Sequence, residues 1–275
     1  MQPRSIIITG CSSGIGRCVA LGLKQRGYKV FATARRQQDI ERLESDGVSA
    51  CYLDYADSDS IHAAFHHVMQ STGGSLYALF NNGAYGQPGA VEDLTRETLR
   101  SQFEANLFGW HELTRLAVAV MRLKNEGRII HNSSILGFAA MPYRGAYNAS
   151  KFALEGLADT QRLELRGSGI HISLIEPGPI RSRFRANAYQ KFIENIDADH
   201  SVHHEAYQKM ISRLKKEGDA APFTLPPEAV LNKVVHALES KRPKIRYPVT
   251  FPTHLFAFLK RVLSNRRMDW LLAKI

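Results

Sequence analysis

The chain has 275 residues, enough for one large α/β domain or two small ones. Its three cysteines form neither a CxxC pair nor an even disulfide set, which favours a reducing, cytoplasmic location, and no run approaches the roughly 18 apolar residues of a membrane span. Of the formal net charge of +10, a share of +8 lies in residues 241–275, which argues against a nucleic-acid surface spread over the fold.

A glycine-rich turn between a strand and a helix is the first functional signal. The run SIIITG at 5–10 is continuously apolar, as in strands buried on both faces of a parallel sheet, and GCSSGIG at 10–16 follows it directly. Glycines there permit a tight turn and let backbone amides approach a pyrophosphate at the next helix N-terminus. The strand and helix context, more than the GxxxGxG spacing, predicts a dinucleotide site. Its predicted contacts are Gly10, Ser12, Ser13, Gly14, Ile15 and Gly16.

The second strand, YKVFATAR, ends where such sites select between NAD and NADP. An acid at this point would hydrogen-bond the ribose 2′-hydroxyl, whereas here Ala34 is followed by Arg35 and Arg36. An acid would repel a 2′-phosphate, and an arginine can bind it through two parallel hydrogen bonds. We therefore predict NADP(H) as the cofactor.

The third and fourth strands also end in polar or glycine-rich residues. VSACYLD ends at Asp54, a candidate contact for the adenine edge, and LYALF leads into Asn82 and Gly83, where backbone can again approach a cofactor. His62 and His66 have a metal-like i, i+4 spacing, but no third ligand accompanies them, so no metal site is predicted.

An acid–base pair is predicted on the helix that contains Tyr147 and Lys151. The spacing of four places both side chains on one face, and a neighbouring ammonium lowers the pKa of a phenol. Ser134, in a loop after the fifth strand, can return to the same pocket and donate to a substrate oxygen. Asn106 lies within a long predicted helix over 99–126, where its poor helix propensity suggests a functional role.

Strands and helices alternate at least six times before about residue 180. The sixth strand, ISLIEPGPI, is broken by Pro177 and Gly178, which can form the wall of a nicotinamide pocket. The alternation predicts a single domain over 1–275 with one doubly wound parallel sheet and helices on both faces.

Six motifs in order along the first 185 residues resemble the short-chain dehydrogenase/reductase family. The chain is most similar to the 17β-hydroxysteroid dehydrogenase-like and retinol dehydrogenase-like branch, which includes bacterial NADPH-dependent aldehyde reductases. The resemblance implies a Rossmann-type sheet of about seven strands. Two departures are NNGA where the family has NNAG, and Ser182 where it usually has threonine. The motifs are TGCSSGIG at 9–16, NNGA at 81–84, Asn106, Ser134, YNASK at 147–151 and PGPIRS at 177–182.

The resemblance also implies a role for each site residue. Tyr147 would be the general acid in reduction and the base in oxidation, and Ser134 would hold the reacting oxygen. Lys151 would bind the nicotinamide ribose and, with the oxidised ring, lower the pKa of Tyr147. Asn106 would hold a water that links Lys151 to solvent. The implied nicotinamide-side contacts are Pro177, Gly178, Ile180 and Ser182, the last to the carboxamide.

The last third of the chain carries the substrate and surface predictions. Residues 183–227 fit no clean period and lie where the family places its substrate lid, although about half of the apolar side chains there are expected to pack the lid onto the body. A helix is predicted over 227–240 and a seventh strand over 244–249. The apolar lid residues favour a hydrophobic carbonyl substrate; they are Phe184, Tyr189, Phe192, Tyr207 and Met210.

The extension over about 250–275 pairs apolar residues with five Lys or Arg. Such a basic amphipathic segment can lie on an anionic membrane, dock on a partner subunit, or pack on the body with its charges in water. These alternatives stay open at the level of sequence. Helices over 99–126 and 147–166 could also form a symmetric interface between two copies of the chain.

The leading hypothesis is an NADP(H)-dependent oxidoreductase that acts on a hydrophobic aldehyde, ketone or steroid-like compound, or on the corresponding alcohol. A non-catalytic NADP(H)-binding sensor is the alternative, although sensing would not require the proton relay of Asn106, Ser134, Tyr147 and Lys151. A methyltransferase is disfavoured because no acid follows the second strand to bind ribose hydroxyls. The substrate and the direction of the reaction stay open.

Overall fold

The computed structural model describes residues 3–219 and 221–274. Strands and helices alternate as predicted. The strands are β1 (Ser5–Ile8), β2 (Lys29–Ala34), β3 (Ser49–Tyr52), β4 (Ala78–Asn81), β5 (Gly127–Asn132), β6 (Ile170–Glu176) and β7 (Arg246–Pro248). The helices are α1 (Gly14–Gln25), α2 (Gln37–Ser45), α3 (Ser58–Thr72), α4 (Arg96–Phe103), α5 (Gly109–Lys124), α6 (Gly145–Glu164), α7 (Phe184–Asn195), α8 (His204–Lys215), α9 (Glu228–Glu239), α10 (Phe251–Val262) and α11 (Asn265–Leu272).

The seven strands form one parallel sheet in the order β3-β2-β1-β4-β5-β6-β7. The chain moves outward from β1 to β3 and then returns to place β4 on the other side of β1. This reversal of direction opens a crevice at the carboxyl ends of β1 and β4, the usual ligand position in open α/β sheets. The predicted doubly wound sheet is confirmed.

Both faces of the sheet are buried, which explains the continuously apolar strands. In β1, Ile6 and Ile8 face a core shared with α1 and α9, whereas Ile7 faces a core shared with α3, α5 and α6. All three are at most 2% exposed. Each such side chain contributes about 1.5–3 kcal/mol to the free energy of unfolding, so the crevice rests on a stable support.

The helix predicted over 99–126 is longer and interrupted. It consists of α4, a π-helical turn over Glu104–Phe108 and α5. The predicted lid contains two helices, α7 and α8, and the predicted C-terminal extension contains α10 and α11 with a break between them. The break follows from extended backbone at Leu263 and Ser264.

The C-terminal helices pack against the loop that follows β5. Phe256 of α10 and Met268 and Leu272 of α11 form one apolar cluster with Ile135 and Tyr147. The predicted extension therefore packs beside Tyr147. Within residues 3–219 and 221–274, the structure has no helix with the length and hydropathy that a bilayer span requires.

Candidate active site

Three loops meet at the crevice with no room for side chains. Gly10 has φ +68°, a left-handed conformation that favours glycine, and a Cβ there would lie 2.5 Å from the Gly83 Cα. A Cβ on Gly16 would lie 2.2 Å from the Gly10 carbonyl oxygen. Ser13 precedes α1 without capping it, so the first amides of the helix are available to an anion. The predicted residues thus form a backbone-lined cradle.

Asn82 and Thr9 hold these loops together. The Asn82 side-chain amide donates to the carbonyl oxygens of Thr9 at 2.9 Å and Gly10 at 3.3 Å. The Thr9 hydroxyl oxygen in turn accepts from the backbone amides of Asn82 and Gly83. Asn132 donates to the Asn82 side-chain oxygen at 2.9 Å, which adds the end of β5. Thr9 was not among the predicted site residues, although it belongs to the TGCSSGIG motif.

The residues predicted to select NADP lie beside the cradle at the end of β2. Arg35 is 65% exposed, and its guanidinium lies 3.6 Å from the Asp54 carboxylate. Arg36 directly precedes α2. Arg42, which sequence reasoning missed, donates to the backbone oxygen of Ser12 at 3.2 Å. Arg42 therefore contacts the glycine turn directly, and Arg35 pairs with Asp54 at the end of the neighbouring strand.

The residues predicted on the nicotinamide side also meet the cradle. A Cβ on Gly14 would lie 2.9 Å from the Ser182 Cβ, and one on Gly178 would lie 2.2 Å from the Thr250 hydroxyl oxygen. The Pro177 carbonyl accepts from the Ile135 amide at 2.9 Å, which ties the end of β6 to the Ser134 loop. Ile180 bridges to Leu225 at the far side of the lid.

Tyr147 and Lys151 lie one turn apart on the buried face of α6, as predicted. Ser134 ends the segment after β5 and caps a short 3₁₀ turn, where its hydroxyl oxygen accepts from the Leu136 amide at 3.1 Å. Tyr147 and Ser134 are each 9% exposed, and Lys151 is fully buried. The structure therefore brings the predicted acid, hydroxyl and ammonium into one region.

The Lys151 ammonium has partners that shift its chemistry. It donates to the Asn132 carbonyl at 2.8 Å and lies 4.1 Å from the centroid of the Trp110 ring. Burial lowers the pKa of Lys151 to about 7, with Glu155 acting weakly in the opposite direction. A group with this pKa can accept and release protons near neutrality. Trp110 was not predicted, because an aromatic residue in a helix gives no local sign of a lysine above its ring.

The pKa of Tyr147 differs from the sequence expectation. Burial raises the pKa of Tyr147 to about 12, and the neighbouring Ser134 hydroxyl lowers it by a smaller amount. The ammonium of Lys151 lies 5.7 Å from the Tyr147 ring centroid and does not reverse the effect of burial. With the protein's own groups, the phenol therefore stays protonated at neutral pH.

Asn106 lies inside the π-helical turn, fully buried. Its side-chain oxygen accepts from the Tyr85 amide at 3.2 Å, and its side-chain nitrogen donates to the Tyr85 carbonyl at 2.8 Å. The same nitrogen reaches the Ser150 hydroxyl at 3.4 Å. The side chain thus binds the segment after β4 to the catalytic helix. Single π turns are frequent at functional sites, which agrees with the predicted importance of Asn106.

A partly buried ionic network packs against α6 and was missed in the sequence. Arg246 of β7 contacts Glu155 and Asp159 of α6 at 3.1 and 2.6 Å, and Glu176 of β6 at 3.2 Å. Glu155 also accepts from the Ser133 hydroxyl, next to Ser134. Burial, and then Glu155, raises the pKa of Glu176 to about 8. Arg246 lies 70 to 91 positions after its three carboxylate partners, so no local pattern connects it to them.

The lid and the tail complete the apolar surroundings of Tyr147. The ring of Phe184 at the start of α7 packs edge-on against Tyr147, with centroids 5.3 Å apart. On the other side, the cluster of Phe256, Met268 and Leu272 reaches the same tyrosine. Within the described ranges, 3–219 and 221–274, no cluster of three His, Cys, Asp or Glu residues has the arrangement of a metal site.

Comparison with known proteins identifies close relatives over nearly the full chain. Uncharacterized oxidoreductase YbbO of Escherichia coli K12 is 44% identical over 272 residues, which cover 99% of this chain and 95% of the relative. The NADPH-dependent 3-dehydrocapnine reductase of Ornithobacterium rhinotracheale is 30% identical, with 97% and 95% covered. The rat 17-beta-hydroxysteroid dehydrogenase type 6 is 31% identical, with 99% and 89% covered.

A solved structure and a family model agree with these relatives. A short-chain dehydrogenase from Streptomyces avermitilis superposes with a TM-score of 0.78 at 26% identity, covering 94% of this chain and 93% of its own. The family model described as short chain dehydrogenase matches residues 4–192, which contain the cradle and all four catalytic candidates. The chain belongs to the short-chain dehydrogenase family and is an oxidoreductase of alcohol and carbonyl groups.

Proposed function

We propose that this protein is an NADP(H)-dependent oxidoreductase that reduces hydrophobic carbonyl compounds. The observation that supports this function best is the meeting of Tyr147, Ser134 and buried Lys151 beside the glycine cradle. A sensor would need only the cradle. The reacting groups would then have no use, and a fully buried lysine is costly to keep without one.

The cradle fits a dinucleotide because its loops approach each other too closely for a Cβ at Gly10 or Gly16. The surface that they offer a ligand is therefore mostly backbone. Backbone amides after Ser13 would bind the pyrophosphate, and Arg35 and Arg36 would bind a 2′-phosphate. A bound nicotinamide supplies the hydride to the substrate carbon. The remaining proposed contacts are Ser12, Gly14, Ile15, Asp54, Asn82, Gly83, Pro177, Gly178, Ile180 and Ser182.

In this proposal, Tyr147 donates a proton to the carbonyl oxygen of the substrate. The raised pKa of about 12 keeps the phenol protonated at neutral pH, so that it holds the proton that reduction requires. The Ser134 hydroxyl stabilises the negative charge that develops on the same oxygen. The Ser134 oxygen already accepts from Leu136, so its proton is available to donate.

Lys151 would return the proton to Tyr147, and Asn106 would position the helix that carries both residues. The pKa of Lys151, lowered to about 7, allows it to exchange a proton under the conditions in which the enzyme works. The side chain of Asn106 is used for Tyr85 and Ser150, so we propose that any water at this turn is held by backbone atoms. This revises the role inferred from the resemblance.

A hydrophobic substrate is supported by the walls around Tyr147. Phe184, Phe256 and Met268 supply apolar surface from the lid and the tail. By their names, two relatives act on 3-dehydrocapnine and on hydroxysteroids, and the steroid ring system is apolar. A place near the hydroxysteroid dehydrogenase-like branch is proposed on the same grounds. Aldehydes, ketones and steroids belong together in the test panel.

The test is NADPH oxidation against this panel by the wild type and by Tyr147→Phe. We expect the variant to bind NADPH normally but to lose about 10²–10⁴-fold in turnover, the usual contribution of a general acid. Tyr52→Phe, a change of the same type at a half-exposed position outside the site, should leave turnover unchanged. Undiminished turnover in Tyr147→Phe would refute the mechanism. A wild type that binds NADPH but turns over no compound would favour the sensor.

The remaining proposals concern assembly. We propose that residues 1–275 form a single domain, because one sheet takes strands from both ends of the chain. We also propose a homo-oligomer, supported by apolar side chains exposed on the helices named for that interface: Leu99, Phe108, Leu123, Leu157 and Leu163. Sedimentation equilibrium of the full chain tests it. The cytoplasm is the proposed location, because an odd number of cysteines favours a reducing compartment.

A further inference from the structure

Helix α10 turns an apolar stripe outward. Phe251, Leu255, Phe258 and Val262 are spaced four, three and four residues apart, which places them along one helix face. They are 57%, 39%, 61% and 58% exposed, whereas Phe256 on the opposite face is buried against the catalytic region. A helix with apolar residues on its inner face needs none on its outer face for folding, so the stripe requires another explanation.

A neighbouring loop extends the stripe. Phe223 is 58% exposed, and its ring centroid lies 5.0 Å from that of Phe251. Its φ of +59° lies in the left-handed region, which is uncommon for residues other than glycine, asparagine and aspartate. The backbone thus holds a phenylalanine outward beside α10. We call Phe223, Phe251, Leu255, Phe258 and Val262 the outer patch.

Positive charge accompanies the outer patch. Residues 251–274 contain five exposed cations and one acid, Asp269. The Lys260 ammonium donates to the Phe138 carbonyl oxygen, away from the outer patch, so the other four cations leave a net charge of +3. In α11, Trp270 is 62% exposed and follows Arg266 by four positions and Arg267 by three, so the three side chains share a face. The Lys274 ammonium lies 3.4 Å from the Trp270 ring centroid. An exposed tryptophan among cations is typical of a water–lipid boundary.

The positive charge distinguishes between two binding partners of the outer patch, a second copy of the chain and an anionic lipid surface. In a twofold contact between copies, the same surface meets itself, so two regions of +3 would face each other. An anionic lipid surface provides the opposite charge together with apolar volume for phenylalanine side chains. We propose that α10 and α11 dock this protein on an anionic lipid bilayer, with the outer patch inserted at the headgroup boundary.

The position of α10 links docking on a bilayer to the path by which a substrate reaches the site. Phe256 on its inner face shares a buried cluster with Tyr147, so one helix separates the docking face from the catalytic tyrosine. If the proposed function holds, a substrate dissolved in the bilayer reaches the site along the side of this helix. Docking itself does not depend on turnover and can be measured without it.

The test is cosedimentation of the full-length protein with vesicles of phosphatidylglycerol and phosphatidylcholine in equal parts, and with vesicles of phosphatidylcholine alone. We expect wild-type protein to bind the first and to bind the second at least tenfold more weakly. Phe251→Ser with Phe258→Ser should weaken binding at least about tenfold, from the loss of two apolar anchors. Arg266→Gln with Arg267→Gln should weaken it about thirtyfold, from about 1 kcal/mol for each cation near an anionic surface.

Matched controls separate docking from general hydrophobicity and from folding. Val202→Ser with Ile193→Ser removes exposed apolar residues outside the outer patch, 86% and 55% exposed, and should leave vesicle binding unchanged. Turnover of a small water-soluble aldehyde by the Phe251/Phe258 variant should match the wild type, which shows that the fold is intact. Wild-type protein that stays in the supernatant would overturn the proposal. If the Phe251/Phe258 variant binds vesicles as the wild type does but forms a smaller oligomer, the outer patch is instead an interface with a second copy of the chain.

Discussion

Replacement of Arg35 by alanine tests the choice of cofactor most directly. Arg35 is 65% exposed and lies 3.6 Å from the Asp54 carboxylate, at the end of β2. In Arg35→Ala, the contact to a 2′-phosphate is lost, and Asp54 is left without the cation that offsets its charge. The two changes act in the same direction, because an unpaired carboxylate repels the phosphate. NADH has a neutral hydroxyl at this position, so neither change should weaken its binding to the same extent.

The magnitude follows from the exposure of the arginine. A hydrogen bond to a charged group contributes about 1.5–3 kcal/mol, and solvent screening at an exposed guanidinium favours the lower end of that range. We therefore expect the Kd for NADPH to rise about 10–30-fold, whereas the Kd for NADH changes by less than about twofold. The difference between the cofactors should narrow at high ionic strength, where surface charges are screened.

Fluorescence titration of both cofactors measures these constants. Arg26→Ala is the matched control, because Arg26 is 49% exposed and pairs with Glu239 at 3.5 Å in another part of the fold. It should affect neither cofactor. An equal loss of NADPH and NADH affinity in Arg35→Ala would refute the phosphate contact, and an effect of Arg26→Ala on NADPH would show that net charge alone explains the result.

Three further substitutions test the cradle and the ionic network. Gly16→Ala places a Cβ 2.2 Å from a backbone oxygen, so we expect a loss of about 1–3 kcal/mol in the free energy of unfolding and at least tenfold weaker NADPH binding. Gly156→Ala, at a helical glycine with open space, should instead stabilise by about 0.5–1 kcal/mol in denaturant unfolding. The pKa of Glu176 is raised from 4.5 to about 8, so the folded state holds its proton longer and stability falls as pH rises through this window. Glu176→Gln should therefore reduce the fall of the melting temperature between pH 4.5 and about 8. An unchanged slope of melting temperature against pH would contradict the raised pKa of Glu176.

The order of strands and helices could be predicted because its signals are local. An apolar run followed by GCSSGIG describes a strand, a tight turn and a helix within 20 residues, and the positive φ of Gly10 agrees with this interpretation. The Tyr147 and Lys151 pair was likewise predictable, since helical geometry alone brings residues four apart onto one face. The position of Ser134 could be predicted as well, because the carboxyl ends of parallel strands meet at one edge of the sheet.

The chemical environment of these residues could not be predicted in the same way. Lys151 lies over Trp110, which is 41 positions away, and the burial that lowers its pKa comes from several elements at once. Burial also reverses the expected direction for Tyr147, because desolvation of a phenolate outweighs an ammonium at this distance. The π turn at Asn106 is another such case, since its contacts to Tyr85 and Ser150 cross between segments.

By itself, the sequence determined the doubly wound sheet, the glycine turn and the position of Tyr147 and Lys151 on one helix face, because these depend on periodicity, glycine context and spacing within single elements. Only the tertiary structure decided how the C-terminal extension divides between two surfaces. The inner residue Phe256 packs toward Tyr147, and the outer residue Phe258 faces solvent. Amphipathic spacing predicts that a helix has two faces, but which face is covered depends on what the rest of the chain places beside it.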